Sequence, residues 1–452
     1  MSRQAPKPPQ FPAGGLLALS TPLPRPEALS LLEGVYDTSS RFGSTVVVHA
    51  STWGAAGNVQ ASLALLARDH LAYALLQPGC LADASGAVTQ VVLEGYWRYL
   101  DAPDPDASST GLVRLFVGPA EAVQFLCGPA GGTAPAPGTA TLSGATGAGE
   151  NQPGLPLDVT YRRARKSKLG PDGVRRFGVG AHHGACQTVD NCGISENTPE
   201  TFILSKQLDA DYLELDIRIT KDGVPVSFHL GLGPSLTQGV YCTGAVEDFT
   251  YAQLVANCRL RNGEVIPRVA DLLEYGLART DLTVWLDMKT ADTVVPTSQI
   301  LAQLDQALVP CDGGATPAPG QRCLFPGSKR VRDRVIMGLP DPTLQATYEQ
   351  ARTAGQLAPG QLCLIEDAPE DVTGVPCVAW GPRYTRGPMA DAARSLQSQN
   401  KFVGYWTIND PNTMDAFLRE GVPNGILTNY LGLLNQRWEE VGVLPSFSPG
   451  SP

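Results

Sequence analysis

Five histidines are spread over 452 residues, and three of them, His182, His183 and His229, bracket the acidic pair Glu214 and Asp216. Glu214 and Asp216 stand two apart, so on a strand both side chains point the same way. Two carboxylates desolvated side by side repel each other unless a cation lies between them. Asp287 supplies a third acid, and Lys289, two residues beyond it, points to the same side of an extended chain. An all-oxygen donor set of this kind suits one divalent cation, Ca2+ or Mg2+, rather than zinc. Two imidazoles beside such an ion supply a base and an acid, while the ion steadies charge on phosphate oxygens. That combination fits cleavage of a phosphodiester. Competing signals are weak: Gly193-Ile194-Ser195-Glu196-Asn197 lacks the second glycine of a nucleophile elbow, and Gly231-Leu232-Gly233 lacks the third glycine of a dinucleotide loop.

These residues need elements that bring them to one place. From Phe177 onward, β-patterned runs alternate with helical ones. The strands are expected at 177–182, 212–216, 283–289, 334–338, 362–366, 378–381, 402–408 and 425–428, with helices over 199–208, 269–278, 296–307, 342–354, 389–399 and 412–420. Alternation implies a parallel sheet, and eight units over about 250 residues imply a closed (β/α)8 TIM barrel. The candidate residues then lie at C-terminal strand ends, where barrels build their sites. Residues 217–220 and 224–230 flank Lys221-Asp222-Gly223, a tight-hairpin signal, so an arm outside the barrel brings His229 back level with Asp216. On a regular strand His183 faces away from His182.

Ahead of the barrel, residues 30–163 read as β-rich, with short apolar strands between Gly/Pro/Asp/Ser turns, a sandwich or small barrel. A strand is expected at 122–127, and 61–76 also fits an amphipathic helix. The remaining divisions are a Pro-rich tether over 1–29, a solvated basic linker over 164–176, the barrel over 177–435 and a tail over 436–452. The β-rich part is expected to be separable. Ten cysteines without a CxxC pair suit disulfides between nearest neighbours: Cys80–Cys127, Cys186–Cys192, Cys242–Cys258, Cys311–Cys323 and Cys363–Cys377. The chain is accordingly expected to be exported (periplasmic, cell-surface or secreted), its signal removed or outside this sequence. A net charge of −10 argues against nucleic-acid partners, and no apolar run reaches the length of a membrane span.

In order along the chain, Gly180-Ala181-His182-His183-Gly184, Glu196-Asn197-Thr198, Glu214-Leu215-Asp216, Thr220-Lys221-Asp222-Gly223, Ile266-Pro267, Leu286-Asp287-Met288-Lys289, Trp406-Thr407-Ile408-Asn409 and Gly425-Ile426-Leu427-Thr428 resemble the glycerophosphodiester phosphodiesterases. The resemblance covers roughly 177–430. It implies a TIM barrel with an arm after strand two, and metal-dependent hydrolysis of glycerophosphodiesters to glycerol phosphate and an alcohol. It also implies His182 and His229 as the acid–base pair and Glu214, Asp216 and Asp287 as metal ligands. His183, Lys289, Glu196 and Trp406 would then meet the substrate. The chain departs from the family pattern at four places: His183 stands for an arginine, Leu230 for an aspartate, Asp287 for a glutamate and Asn429 for an aspartate. A neutral histidine lacks the permanent phosphate fork of arginine. The expected substrate is a small phosphodiester or a lysolipid. The alternatives are a phosphodiester-binding barrel with an adhesive β domain that associates with a surface or membrane, and a phospholipase acting on intact membrane lipid.

Overall fold

Period-two alternation builds the first half of the chain. The computed structural model describes residues 16–101, 109–129, 132–147, 154–184, 193–311, 316–366 and 376–446, and the expected Cys186–Cys192 pair lies outside them. Strands Gly34–Ser40 (β1), Gly43–Ala55 (β2), Asn58–Ala67 (β3), Tyr73–Ala82 (β4), Val88–Arg98 (β5), Thr110–Gly118 (β6), Thr141–Thr146 (β7) and Leu155–Arg163 (β8) pair each with the next. β1 pairs antiparallel with β8, which closes a barrel. Closure removes the sheet edges, and at eight strands side chains fill the interior. Val46, Val48, Leu63, Leu65, Leu93, Leu115, Leu142 and Val159 are among the residues that fill it.

The outward residues of β2–β4 are apolar too. Val47, Ala64, Leu66, Tyr73 and Leu75 belong to the core of the second half of the molecule. Strands covered on both faces read as continuous apolar runs. This is why 61–76 also resembled a helix; the structure makes it β3 and the start of β4. Conversely, 122–127 is not a strand but part of helix Ala120–Cys127, which Cys80–Cys127 ties to β4.

The second half is a parallel barrel. Its strands, in chain order, are Gly178–Ala181, Tyr212–Ile219, Thr283–Met288, Val335–Leu339, Leu362–Ile365, Ala379–Trp380, Phe402–Tyr405 and Gly425–Thr428, and strand eight pairs back onto strand one. Helices Pro342–Thr353 and Pro411–Glu420 start where Asp341 and Asp410 accept bonds from free backbone N–H groups at 2.7–2.9 Å. Inside the barrel, aromatic rings lie on glycines. A Cβ added at Gly180 would come within 2.3 Å of the Tyr212 ring, and one at Gly338 within 2.2 Å of Trp285 Nε1. The arm strand Pro225–Ser227 pairs antiparallel with the end of strand two and stays outside the eight.

Three further expectations change. From Leu16 the supposed tether forms two 3-10 turns, of which Pro26–Leu32 buries Leu29 and Leu32. The tail expected from 436 begins inside a helix, Leu431–Val441, whose Trp438 is buried. The basic linker is solvated only in part: residues 171–175 are exposed, but Arg165 Nη2 lies 2.5 Å from Asp209, and Lys168 reaches Asp209 and Asp211 at 3.1 and 3.2 Å. The last helix covers β2 and β3. Gln436 donates from Nε2 to Leu66 O at 2.7 Å, and Glu439 takes Arg163 at 2.8 Å and Arg165 at 3.2 Å. Four of the expected disulfides are present: Cys80–Cys127, Cys242–Cys258, Cys311–Cys323 and Cys363–Cys377. No helix among the described residues is long and apolar enough to cross a membrane.

Candidate active site

Strand two carries Glu214 and Asp216 inward on alternate positions, and strand three sets Asp287 directly beside Asp216 in parallel register. Each of the three acids offers an oxygen within 4.8 Å of the others. Asn197, ahead of helix Glu200–Gln207, fixes Asp216 twice: its amide nitrogen donates to Asp216 Oδ2 at 2.8 Å, and its amide oxygen accepts the Asp216 backbone N–H at 2.9 Å. The arm does the rest. Phe228 N–H donates to Asp216 O at 3.0 Å, which holds the next residue, His229, beside the cluster.

The histidines do not alternate in and out. Strand one stops at Ala181, and His182–Gly184 make one 3-10 turn in which His183 has φ +50° and ψ +29°. A left-handed backbone at a residue with a Cβ costs roughly 1–2 kcal/mol. It turns the His183 ring into the site, where only 1% of the residue is exposed. The expectation that His183 faces away from His182 fails because the strand ends before either residue. The rings of His182 and His229 flank it, with centroids 3.8 and 4.2 Å from that of His183. His183 N–H donates to Glu214 Oε2 at 2.9 Å; its Nε2 is 3.3 Å from Asp216 Oδ2, and its Nδ1 is 3.4 Å from Glu196 Oε2.

Charge in this enclosure is finely divided. Burial opposes a charge on His183, but Asp216, Glu214 and Glu196 outweigh it and push its pKa up to about 10. Burial, and then the positive charge of His183, hold His182 well below its ordinary value. Burial lowers His229 as well. Glu214 is pushed up to about 8 by burial and by Asp216 beside it. Burial would raise Asp216 too, yet His183 and Lys289 hold it down. Lys289 Nζ lies 2.7 Å from Asp216 Oδ1 and also meets Asp287 Oδ2. Two carboxylate oxygens, Glu214 Oε1 and Asp287 Oδ1, are buried with no hydrogen-bond donor. A divalent cation fits that donor set, since buried acceptors without donors call for a positive partner.

The expected residues therefore gather, with one exception. Glu196 faces His183 and lies 3.9 Å from His229 Nδ1. Trp406 instead donates from its indole to Gly381 O at 2.6 Å and lies under Arg383, contacts with the barrel wall rather than the acids. Two contributors went unassigned. Asn429 Oδ1 accepts from His182 Nδ1 at 2.7 Å, so the residue that breaks the family pattern orients a site histidine. Glu366, just past strand five and 5% exposed, is held well above the usual carboxylate range by burial and then by Asp287. Its position at the C-terminal end of an expected strand was the available signal.

Residues 182–307 match the model of the Glycerophosphoryl diester phosphodiesterase family. A Mycobacterium tuberculosis protein named "Probable glycerophosphodiester phosphodiesterase 2" is 27% identical over 238 residues, 53% of this chain and 83% of its own. The glycerophosphodiester phosphodiesterase of Bacillus subtilis is 26% identical over 270 residues, 55% of this chain and 85% of its own. A solved glycerophosphodiester phosphodiesterase of Parabacteroides distasonis aligns with 58% of this chain and 98% of its own at 16% identity, with a TM-score of 0.44. The family match begins at the first site histidine and includes both acids of strand two and Asp287, so it is over residues 182–307, the site-bearing half of the parallel barrel, that this chain matches the glycerophosphodiester phosphodiesterases.

Proposed function

We propose that this protein hydrolyses glycerophosphodiesters to glycerol phosphate and an alcohol, with His182 and His229 as the acid–base pair and Glu214, Asp216 and Asp287 holding one divalent cation. The observation that carries this reading is the convergence of three acid oxygens within 4.8 Å beside three adjoining imidazoles. When bound, the cation steadies negative charge on the phosphate oxygens. The oxygen ligands alone suit Ca2+ or Mg2+. His182 donates Nδ1–H to Asn429, which leaves Nε2 unprotonated, and its depressed pKa keeps it neutral near pH 7. That is the state of a base, and it takes the proton of a neighbouring substrate hydroxyl that attacks phosphorus, forming a cyclic phosphate as the P–O bond to the alcohol breaks. His229, on the other side of His183, protonates the departing alkoxide. The anionic substrate raises the proton affinity of His229 by placing negative charge beside it. Water then opens the cyclic phosphate by the reverse roles. His183, Lys289 and Glu196 set the charge that the phosphate meets. The four disulfides support an exported location.

Turnover of glycerophosphocholine tests the assignment. His182→Ala and His229→Ala should each lose about 10²–10⁴-fold in kcat, with the double variant little worse. Near-wild-type rates in both single variants would overturn it and favour the phosphodiester-binding reading.

One observation supports a lysolipid as the substrate. Leu230 directly follows His229, and Leu232 pairs with Gly244, so the intervening loop folds back on this end of the arm. It carries Val240 and Tyr241, 88% and 74% exposed. On this reading Val240→Ser with Tyr241→Ser lowers kcat/KM for lysophosphatidylcholine while glycerophosphocholine is unaffected. Equal effects on both substrates would remove it.

A further inference from the structure

We propose that His183 is itself a ligand of the cation, through Nε2, and that the site is a mixed imidazole–carboxylate site selecting a first-row transition ion such as Zn2+ over Mg2+ or Ca2+. The proposal rests on the metal reading above and refines it.

The two ring nitrogens of His183 have different neighbours. Nδ1 faces the Glu196 carboxylate at 3.4 Å. Metal-binding histidines commonly give their second ring N–H to a carboxylate, which fixes the tautomer and aims the other lone pair at the ion. Nε2 faces the acids, 3.3 Å from Asp216 Oδ2 and 4.0 Å from Glu214 Oε2. Around an ion with bonds of about 2.1 Å, ligand atoms at right angles stand about 3.0 Å apart and opposed ones about 4.2 Å. Both separations fall within that span. His183 also belongs to two of the three groups of side chains that can share an ion, with His182 and Glu214 and with Asp216 and His229.

Lys289 does not block the arrangement. It lies on Asp216 Oδ1 and Asp287 Oδ2; Asp287 Oδ1 has no donor, and Asp216 Oδ2, which accepts from Asn197 at 2.8 Å, keeps its second lone pair. Lysine and ion thus take opposite oxygens of the same two carboxylates. Imidazole shifts preference from hard cations toward zinc and its neighbours. The family pattern has arginine at this position, which has no lone pair to give.

The experiment uses the full chain, stripped of metal by chelation. Mn2+, which tolerates either donor set, reports the ligands: pulsed EPR should show a directly bound 14N in the wild type and lose it in His183→Gln. Calorimetry should give one Zn2+ site at least about tenfold tighter than Mg2+. His183→Gln should weaken Zn2+ at least about tenfold and Mg2+ far less. Glu196→Gln should keep the 14N signal and weaken Zn2+ by about 10–100-fold. A Mn2+ complex without 14N coupling, coupling that persists in His183→Gln, or equal loss for Zn2+ and Mg2+ would overturn the proposal. Failure of every cation to bind would instead overturn the metal reading on which it rests. The wild-type spectrum decides the matter even if His183→Gln folds poorly.

Discussion

Asn429 shows how one amide sets the work of a histidine. Its side-chain oxygen accepts from His182 Nδ1, and Asn409 in turn holds Asn429 through its backbone N–H at 2.9 Å. A carboxylate in place of the amide would stabilise the imidazolium of His182. In Asn429→Asp, His182 therefore stays protonated to higher pH, and the acid limb of the kcat/KM profile should move to higher pH. An unmoved limb would mean that another group sets it. The acids, the flanking histidines and Lys289 were legible in the sequence because residue type and strand-end position both pointed at them. The inward turn of His183 was not. It depends on a strand that stops at Ala181 and on a left-handed backbone, neither of which residue spacing encodes. Asn429 was visible only as a departure from the family, and its hydrogen bond spans the closure of strand eight onto strand one.

At the scale of elements, the interior of the parallel barrel is filled by rings seated on glycine. Gly338 has no room for a methyl group, with Trp285 Nε1 2.2 Å and Glu366 Oε1 2.7 Å from where a Cβ would lie. Gly338→Ala should destabilise the fold by about 1–3 kcal/mol, the ordinary cost of overpacking, read as a lower denaturant midpoint. Because Glu366 is one of the atoms displaced, cation affinity should fall with it. The eight parallel strands were readable because helical runs lie between most of them. The antiparallel barrel was harder. Its strands β2–β4 lose their alternation where both faces are covered, and the run around Val123 and Phe125 suits a strand by composition although the chain forms a helix there.

For the molecule as a whole, the boundary between the barrels is a charged and apolar joint rather than a hinge. Burial opposes the charge of Asp209, but Arg165, His49 and Lys168 hold its pKa well below the ordinary value. A depressed carboxylate contributes stability that is present above its unfolded pKa, about 3.9, and lost as pH falls through its folded value. Thermal stability should therefore fall steeply in acid below about pH 4. Asp209→Asn should flatten that fall and cost about 3–5 kcal/mol at neutral pH, since Arg165 and Lys168 lose their shared partner. Separability of the β-rich part, natural to expect of a linker with a basic run, is not what the joint supports. A chain started near Lys166 would bare the helix Leu431–Val441 along Leu433 and Gln436 and strip Glu439 of Arg163 and Arg165. It should aggregate or melt early in light scattering and calorimetry. The same helix bears on how the protein is made. The antiparallel barrel leaves the ribosome first, and its outer apolar wall at Val47, Leu66 and Leu75 has to wait for the last helix to be translated. Until then the earlier barrel carries this apolar wall uncovered, and a later stretch of the same chain makes it safe.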